Sequence, residues 1–345
     1  MRQRMIIDHD IAVEPGQTFV IDRFQPEDAR GIAHLFFAEY GPSYPVETFY
    51  YPERIVAENE NGNIYSVVAR TPKGDIIGHG ALFRSSPEYQ NLYEIGQCII
   101  LTDYRITFAA FKINKFAAED LTAMTRPDGM FGEAVTHITA TQKFSALVGM
   151  KDVAMEMDLM PASAYEKSQS ASGRVSCLIL FRSFRDRPQE IFIPLRYQEL
   201  MEFILRDVEI TRTRTPSVDK LPGNVKSRLT TRFFNHAGVG RFNLISSGGD
   251  FDNVVAALEK EGREQKTLVF QFFLNLSEPW VGGAVEILRN HGYFFGGCLP
   301  RWFDADGMLM QKVLQPPSFD APHLHSTKAR QLLELVRMDW QALTG

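Results

Sequence analysis

The sequence predicts an α+β fold built twice: two tandem domains, each a mixed, mostly antiparallel sheet flanked by helices. Three observations predict it. The chain has 345 residues, and chains beyond ~250–300 residues tend to divide into domains of roughly 100–200. Short apolar runs typical of strands are interleaved with longer runs whose apolar residues recur at helical spacing. The order of those elements then returns in the second half. "EAVTHITATQKFSALVGMKDVAMEMDLMP" and "FQFFLNLSEPWVGGAVEILRNHGYFFGGCLP" both read strand, helix, glycine cap, strand.

The first copy opens with a strand over 18–24. Gln25-Pro26-Glu27-Asp28 then starts a helix, because proline fits the first turn and acidic side chains favour the positive end of the helix dipole. Ile32, Ala33, Leu35 and Phe36 recur at helical spacing up to Gly41. A second helix is predicted over 52–58. Strands follow over 63–70, 75–83 and 93–101, and Gly62, Gly74 and the short spacings argue for antiparallel hairpins. A helix from Phe108 ends before Pro127. A strand over 132–138 leads to a short helix over 141–148, stopped by Gly149 as a left-handed cap. Strands over 153–160 and 175–181 complete the copy.

Residues 186–195 read as a connector and 196–205 as a helix. The stretch 206–223 is polar, contains Pro216 and Pro222, and reads as a loop or linker. The second copy has strands over 227–234 and 240–246, and a helix over 251–261 opened by Gly248-Gly249-Asp250. A strand over 267–276, a helix over 279–290 capped near Gly292, and strands over 293–299 and 308–314 follow. An amphipathic helix over 327–343 ends the chain. The domains are set at 1–183 and 184–345.

A hydrophobic fraction of 44% with 23% charged residues is ordinary for globular protein. The net charge of −5 and the dispersed lysines and arginines give no reason to expect a nucleic-acid partner. Cys98, Cys177 and Cys298 are far apart, lack zinc-ligand spacing with histidine, and read as buried thiols in a reducing compartment. His323 and His325 are too isolated to form a metal site, so none is expected. The basic start, Met1-Arg2-Gln3-Arg4-Met5, lacks the apolar run of a signal peptide. No apolar stretch reaches the ~20 residues that cross a bilayer, and a cytoplasmic protein without membrane contact is expected.

Several segments together resemble the GNAT superfamily of acyl-CoA N-acyltransferases. "IDRFQPEDARGIAHLF" looks like its opening strand and helix, and "SVVARTPKGDIIGHGALF" like its strands two and three. "YEIGQCIILTDYR" looks like strand four, and "GEAVTHITATQKFSALVGM" like strand five and the helix after it. "IFIPLRYQELMEFIL" and "GYFFGGCLPRWFDADGMLMQ" are similar to a two-domain group of this superfamily.

The resemblance implies that strands four and five splay and that the pantetheine of acetyl-CoA inserts between them. Backbone groups of Ile99, Ile100 and Leu101 would pair with it, and the pyrophosphate would sit at the next helix N-terminus. The family's loop, Q/R-x-x-G-x-G/A, corresponds to Arg105, Ile106, Thr107, Phe108, Ala109 and Ala110, with Phe108 in place of the central glycine. The resemblance places a candidate base, Glu94, at the start of strand four; His137, at the end of strand five, is a second candidate base or substrate ligand. The tyrosine that usually protonates the leaving thiolate is replaced by Ser145, and by Leu288 in the second copy. Tyr40, Tyr44 and Tyr50, with Tyr51, cluster where this fold shapes its acceptor pocket.

In the second copy Asp250 stands where phosphate would bind and repels it, so that domain is expected to be non-catalytic. Trp302, Gly296 and Gly297 are expected in the second core or a domain interface. The function implied is an N-acyltransferase moving acetyl from acetyl-CoA to an unidentified amine. The alternative is an inactive module of the same fold that binds a CoA-type ligand or a protein.

Overall fold

The structure, a computed structural model, describes residues 12–42, 44, 46–161 and 173–344. The basic N-terminal segment lies outside them. The described residues up to Ser85, with Tyr93–Pro127, form one compact unit; Ser86–Leu92 and the described residues from Asp128 onward form another.

The first unit is built on four strands: β1 (Val20–Arg23), β2 (Ile64–Arg70), β3 (Ile76–Phe83) and β4 (Leu92–Ile100). They lie side by side in chain order, each antiparallel to the next. Helices α1 (Ala29–Tyr40) and α2 (Pro52–Glu60) follow β1. The chain enters α1 through a tight turn, Pro26–Asp28, in which the Gln25 amide donates to the Asp28 carboxylate at 2.7 Å. That carboxylate also accepts from the Arg70 guanidinium at 2.7 and 2.8 Å, which fastens the start of α1 to β2. Ile32 and Phe36 of α1 pack with Phe49, Ile55 of α2, Val68 of β2 and Ile76 of β3, all buried. Each such side chain contributes about 1.5–3 kcal/mol. After β4 comes α3 (Ala109–Phe116), then a wide turn, Ala117–Leu121, and α4 (Thr122–Thr125). Helix α3 lies close on β3 because Gly78 and Gly80 have no side chains. A Cβ there would meet the Ile113 side chain at 2.8 and 2.5 Å.

The second unit begins with β5 (Gly129–Val135), α5 (Ala140–Leu147), β6 (Lys151–Pro161) and β7 (Arg174–Ser183). It continues through β8 (Gln189–Ile193), α6 (Gln198–Leu205), β9 (Arg212–Pro216), β10 (Arg228–Phe234), β11 (Val239–Ser246) and α7 (Phe251–Glu264). The last elements are β12 (Val269–Asn275), α8 (Val281–Asn290), β13 (Phe294–Leu299), β14 (Gly307–Val313) and α9 (Thr327–Thr344). Its main strands run β5-β7-β6-β13-β14-β12-β11-β10. The β11–β12 pair is parallel and the other neighbours are antiparallel.

The internal repeat is visible in this topology. Strand, helix, strand, strand occurs as β5-α5-β6-β7 and again as β12-α8-β13-β14, and in both the third strand lies between the first two. The helix stops also agree. Gly149 and Gly292 have φ of +82° and +86°. The amide after each glycine reaches back, Met150 to the Ser145 carbonyl and Tyr293 to the Leu288 carbonyl, both at 2.9 Å. That is the Schellman pattern.

Two expectations need correction. The second copy does not form a sheet of its own, because β13 pairs with β6 at Gly297 and Ala154. The compact units divide at Pro127 and Asp128, and β5, β6 and β7 share a sheet with β10–β14. Nor is the polar stretch after α6 a linker, because β9 inside it pairs in parallel with β8. The inward position of β9 is Arg212, whose buried side chain is held by Asp306 at 2.6 Å and Asp186 at 2.8 Å. A strand whose buried residue is a paired arginine has no hydrophobic alternation to read.

Candidate functional site

Strand β4 carries a bulge. It pairs with β3 at Gly78–Ile100 and His79–Ile99, then slips by one residue so that Ala81 faces Gly96. The extra residue is accommodated at Gln97, whose φ of +57° is in the left-handed region. The turned Gln97 carbonyl accepts a hydrogen bond from the buried His79 ring at 3.1 Å. Cys98, next in sequence, is exposed, which corrects the expectation of a buried thiol; Cys177 and Cys298 are buried. The Cys98 sulfur accepts from the Asn114 amide at 3.2 Å.

Past the bulge, the backbone of β4 faces β3 at alternate residues. The Leu101 amide donates to the Ile77 carbonyl at 2.9 Å, so Leu101 cannot offer that amide to a ligand. By alternation the amide and carbonyl of Ile100 face away from β3, and this carbonyl accepts from Arg105 Nε at 3.3 Å. Of the three residues expected to bind pantetheine, Ile100 has the backbone groups directed away from the neighbouring strand.

The loop after β4 turns through Thr102–Tyr104. The Thr107 hydroxyl donates to the Tyr104 carbonyl at 2.6 Å and accepts from the Ala109 amide at 3.2 Å, which caps α3. The amides of Phe108 and Ala110 have no acceptor among the described residues. They lie at the positive end of α3, a site suited to anions. Phe108 has φ −82° and ψ +14°, a conformation open to any residue, so the backbone here does not require the family's glycine. Phe108 is 76% exposed and Ile106, two residues earlier, 96% exposed. Arg105 is ion-paired with Glu39.

The tyrosines divide by role. Tyr50 is in the core, and its hydroxyl accepts from the Tyr44 amide at 2.7 Å. Tyr51 lies under the Arg54 guanidinium, 4.1 Å from its ring centroid. Tyr40 and Tyr44 pack against each other with centroids 4.8 Å apart. Burial holds the Tyr44 hydroxyl well above the usual phenol range, and the nearby Tyr40 hydroxyl and Glu94 carboxylate add to it. The Tyr40 hydroxyl is pushed up to about 12, by burial first, then by Glu39 and Cys98, with Arg105 opposing. Glu94, opposite Phe83 in the β3–β4 ladder, is therefore grouped electrostatically with Tyr44, and Cys98 and Arg105 with Tyr40.

His137 belongs to the second unit, two residues beyond β5. Burial lowers its pKa, and the neighbouring His323 lowers it further. The 323–325 segment is clamped beside it: the His323 amide donates to the Thr136 carbonyl at 2.7 Å, and Gln142 bridges to the His323 carbonyl and His325 amide, each at 2.9 Å. These contacts give the His137 region a structural setting. Among the described residues no group of histidine, cysteine and carboxylate side chains could hold a metal ion.

The first unit also has a cavity of about 260 Å³ lined by Arg23, Phe24, Asn59, Glu60, Tyr65 and Met124, among others. None of the predicted site residues borders it.

Two features of the second unit escaped the sequence reading. Arg241 of β11 reaches Glu133 of β5 and Glu156 of β6, each at 2.9 Å, and Gln271 of β12 donates to Glu156 at 2.9 Å. Burial, then the Glu133 charge, raise the Glu156 pKa against Arg241 and Gln271. The signal was present as isolated polar residues inside apolar strands, such as Gln271 in "VFQFFLN". The second feature is the pairing of β11 with β12 over six consecutive residues, Val239–Val269 to Leu244–Leu274, which leaves no gap for an inserted ligand strand. The start of α7 is also covered. The Gly248 amide donates to the Ser227 hydroxyl at 3.0 Å, and Asp250 accepts from the Ser227 amide at 2.8 Å.

The His79 ring makes stability depend on pH. Burial lowers its pKa to about 4 in the folded chain, against ~6.5 when unfolded. The unfolded chain therefore binds the extra proton between those values. The His79 contribution is fully present above ~6.5 and is lost as pH falls towards 4, by about 3 kcal/mol. Urea unfolding of wild type at pH 7 and pH 4.5 is expected to show this loss, and His79→Gln, which cannot titrate, to show less of it. Equal slopes for the two proteins would remove His79 from the pH dependence.

No protein-family model matches the chain, and no curated protein does. Among solved structures it is similar to an N-acetyltransferase from Staphylococcus aureus Mu50, at 14% identity and a TM-score of 0.38 over 48% of this chain and 98% of that one. It is similar to a ribosomal-protein-S5-alanine acetyltransferase from Vibrio fischeri, at 12% identity and 0.38 over 50% of this chain and 97% of that one. It is also similar to a GNAT superfamily phosphinothricin acetyltransferase from Sinorhizobium meliloti, solved in complex with AcCoA, at 16% identity and 0.39 over 49% of this chain and 89% of that one. Each likeness spans about half of this chain.

Proposed function

We propose that this chain is an N-acyltransferase that moves an acetyl group from acetyl-CoA to an amine, with the chemistry at β4 and α3. The observation that carries the proposal is the bulged β4, with the Ile100 backbone turned from β3, followed by a short loop into α3, at whose start the Phe108 and Ala110 amides have no acceptor among the described residues. The amides of Phe108 and Ala110 would receive the pyrophosphate, and Ile100 would hold the pantetheine. Glu94 would take a proton from the incoming ammonium, directly or through water. The neutral nitrogen then attacks the thioester carbonyl carbon, the carbon–sulfur bond breaks, the nitrogen releases its extra proton to water, and the thiolate leaves to be protonated from solvent. Tyr40 and Tyr44 would border the acceptor. The 184–345 half is proposed to be non-catalytic, in keeping with the unbroken β11–β12 ladder and the covered start of α7.

Two observations favour the second reading, an inactive module that binds a CoA-type ligand or a protein: Arg105 is already paired with Glu39, and Phe108 exposes its ring where the loop would meet phosphate. Ligand-dependent melting separates these readings. A ligand that binds only the folded chain at 100 times its Kd stabilises it by about 2.7 kcal/mol. Acetyl-CoA and CoA are expected to raise Tm. The absence of any shift with either would end the acyl-CoA reading. A shift without acylation across a panel of primary amines would favour the inactive module.

No helix among the described residues is long and apolar enough to cross a membrane. A cytoplasmic location remains part of the proposal.

A further inference from the structure

The β4 bulge is held by a residue that the proposed chemistry does not itself use. His79 is on β3, is fully buried, and uses both ring nitrogens. A carbonyl only accepts, so the bond to the Gln97 oxygen puts the proton on Nδ1. Nε2 is then an acceptor, and the Ser66 hydroxyl, 3.0 Å away, donates to it. The Ser66 oxygen in turn accepts from Asn59 Nδ2 at 3.3 Å, and Asn59 Oδ1 accepts from the Ser66 amide at 2.9 Å. The ring is also fixed sideways. Phe36 and Phe49 stack with centroids 4.0 Å apart, and each meets His79 edge-on at 5.6 Å. Phe36 packs against Tyr44 at 4.7 Å on its other contacts.

We infer that His79 is a positioning residue: held by Ser66 and Asn59 behind it, it locks the left-handed Gln97 bulge of β4 and, through Phe36 and Phe49, the Tyr44 ring. A non-glycine residue at φ +57° stores strain and persists only where its surroundings over-determine it. The Nδ1 bond to the Gln97 carbonyl is the contact that does so. Without it the strand can relax towards a regular ladder, which would move Gly96, Gln97 and Cys98 together.

The test uses the intact chain and reads the bulge through Cys98, the exposed thiol next to Gln97. Iodoacetamide labelling is followed by peptide mass spectrometry, with buried Cys177 and Cys298 as slow internal controls. His79→Phe keeps a planar ring and removes both hydrogen bonds. It is expected to change the Cys98 labelling rate by about tenfold, the equivalent of one buried hydrogen bond. His79→Gln supplies one donor and one acceptor and is expected to restore a rate near wild type. A folded His79→Phe with an unchanged rate overturns the inference. If that variant does not fold, Ser66→Ala decides: it leaves the ring and removes its Nε2 partner, and an unchanged Cys98 rate there is equally fatal.

Only the kinetic arm rests on the acyl-transfer reading. There His79→Phe is expected to lower kcat about tenfold with KM for acetyl-CoA nearly unchanged, and His79→Gln to recover it. If wild type transfers nothing, the proposed activity fails while the labelling arm still decides the role of His79.

Discussion

Glu94→Gln is expected to lower kcat for acetyl transfer by ~10²–10⁴-fold, the range of positioned acid–base catalysis. Glutamine keeps the size of the side chain and its place opposite Phe83 on β4, so the loop from Thr102 and the start of α3 should not move. Acetyl-CoA affinity should therefore stay close to wild type. Raising the pH should restore part of the rate, because more of the amine is then already neutral and needs no base. The alkaline rescue separates a lost base from a lost structural contact, which would give a pH-independent defect. Steady-state kinetics of wild type, Glu94→Gln and His137→Asn across pH, with calorimetry of acetyl-CoA binding, make the measurement. His137→Asn should lose less activity, since the 323–325 clamp holds that region independently of the ring. Full turnover in Glu94→Gln would exclude Glu94 as the base.

Gly297→Ala should destabilise the second unit by about 4 kcal/mol, as overpacking and backbone strain add at one position. The φ there is +146°. An added Cβ would lie 2.3 Å from the Ala154 Cα and 2.5 Å from the Val153 carbonyl oxygen, so it meets backbone that cannot swing aside. This is the pair that joins β13 to β6. Gly149→Ala is the control. Its φ is +82° and the nearest atom is the Arg182 side chain at 3.7 Å, so it should cost about 1 kcal/mol, from conformation alone. Urea unfolding of both variants tests the ordering. Equal losses would mean that the β6–β13 contact relaxes freely.

Most strands and helices were legible because their signals are local. Gln25 to Asp28 starts α1 and Gly41 stops it, Gly149 and Gly292 stop two others, and the hairpin at Gly74 has its turn residues in sequence. β8 and β9 were not legible, since Arg212 fills an inward position that pattern reading assigns to solvent. The residues of the proposed site could be nominated from the sequence, but their surroundings could not. Glu94 and the loop at Phe108 were proposed from the family resemblance, and Tyr40 and Tyr44 from the tyrosine cluster in the segment after the first helix. The Gln97 bulge was not, because a bulge is a property of the ladder, and neither β3 nor β4 alone reveals that Ala81 faces Gly96.

The amino-acid sequence by itself determined the α+β class, the order of elements and their recurrence, since apolar spacing and cap chemistry act over a few residues. Tertiary structure alone decided which backbone and side-chain groups remain available to a ligand. Leu101 loses its amide to Ile77, Arg105 its charge to Glu39, and the second copy its potential gap to an unbroken β11–β12 ladder. Hydrogen bonds and ion pairs are satisfied by whatever the fold brings within about 3 Å, and partners distant in sequence leave no mark on the local pattern.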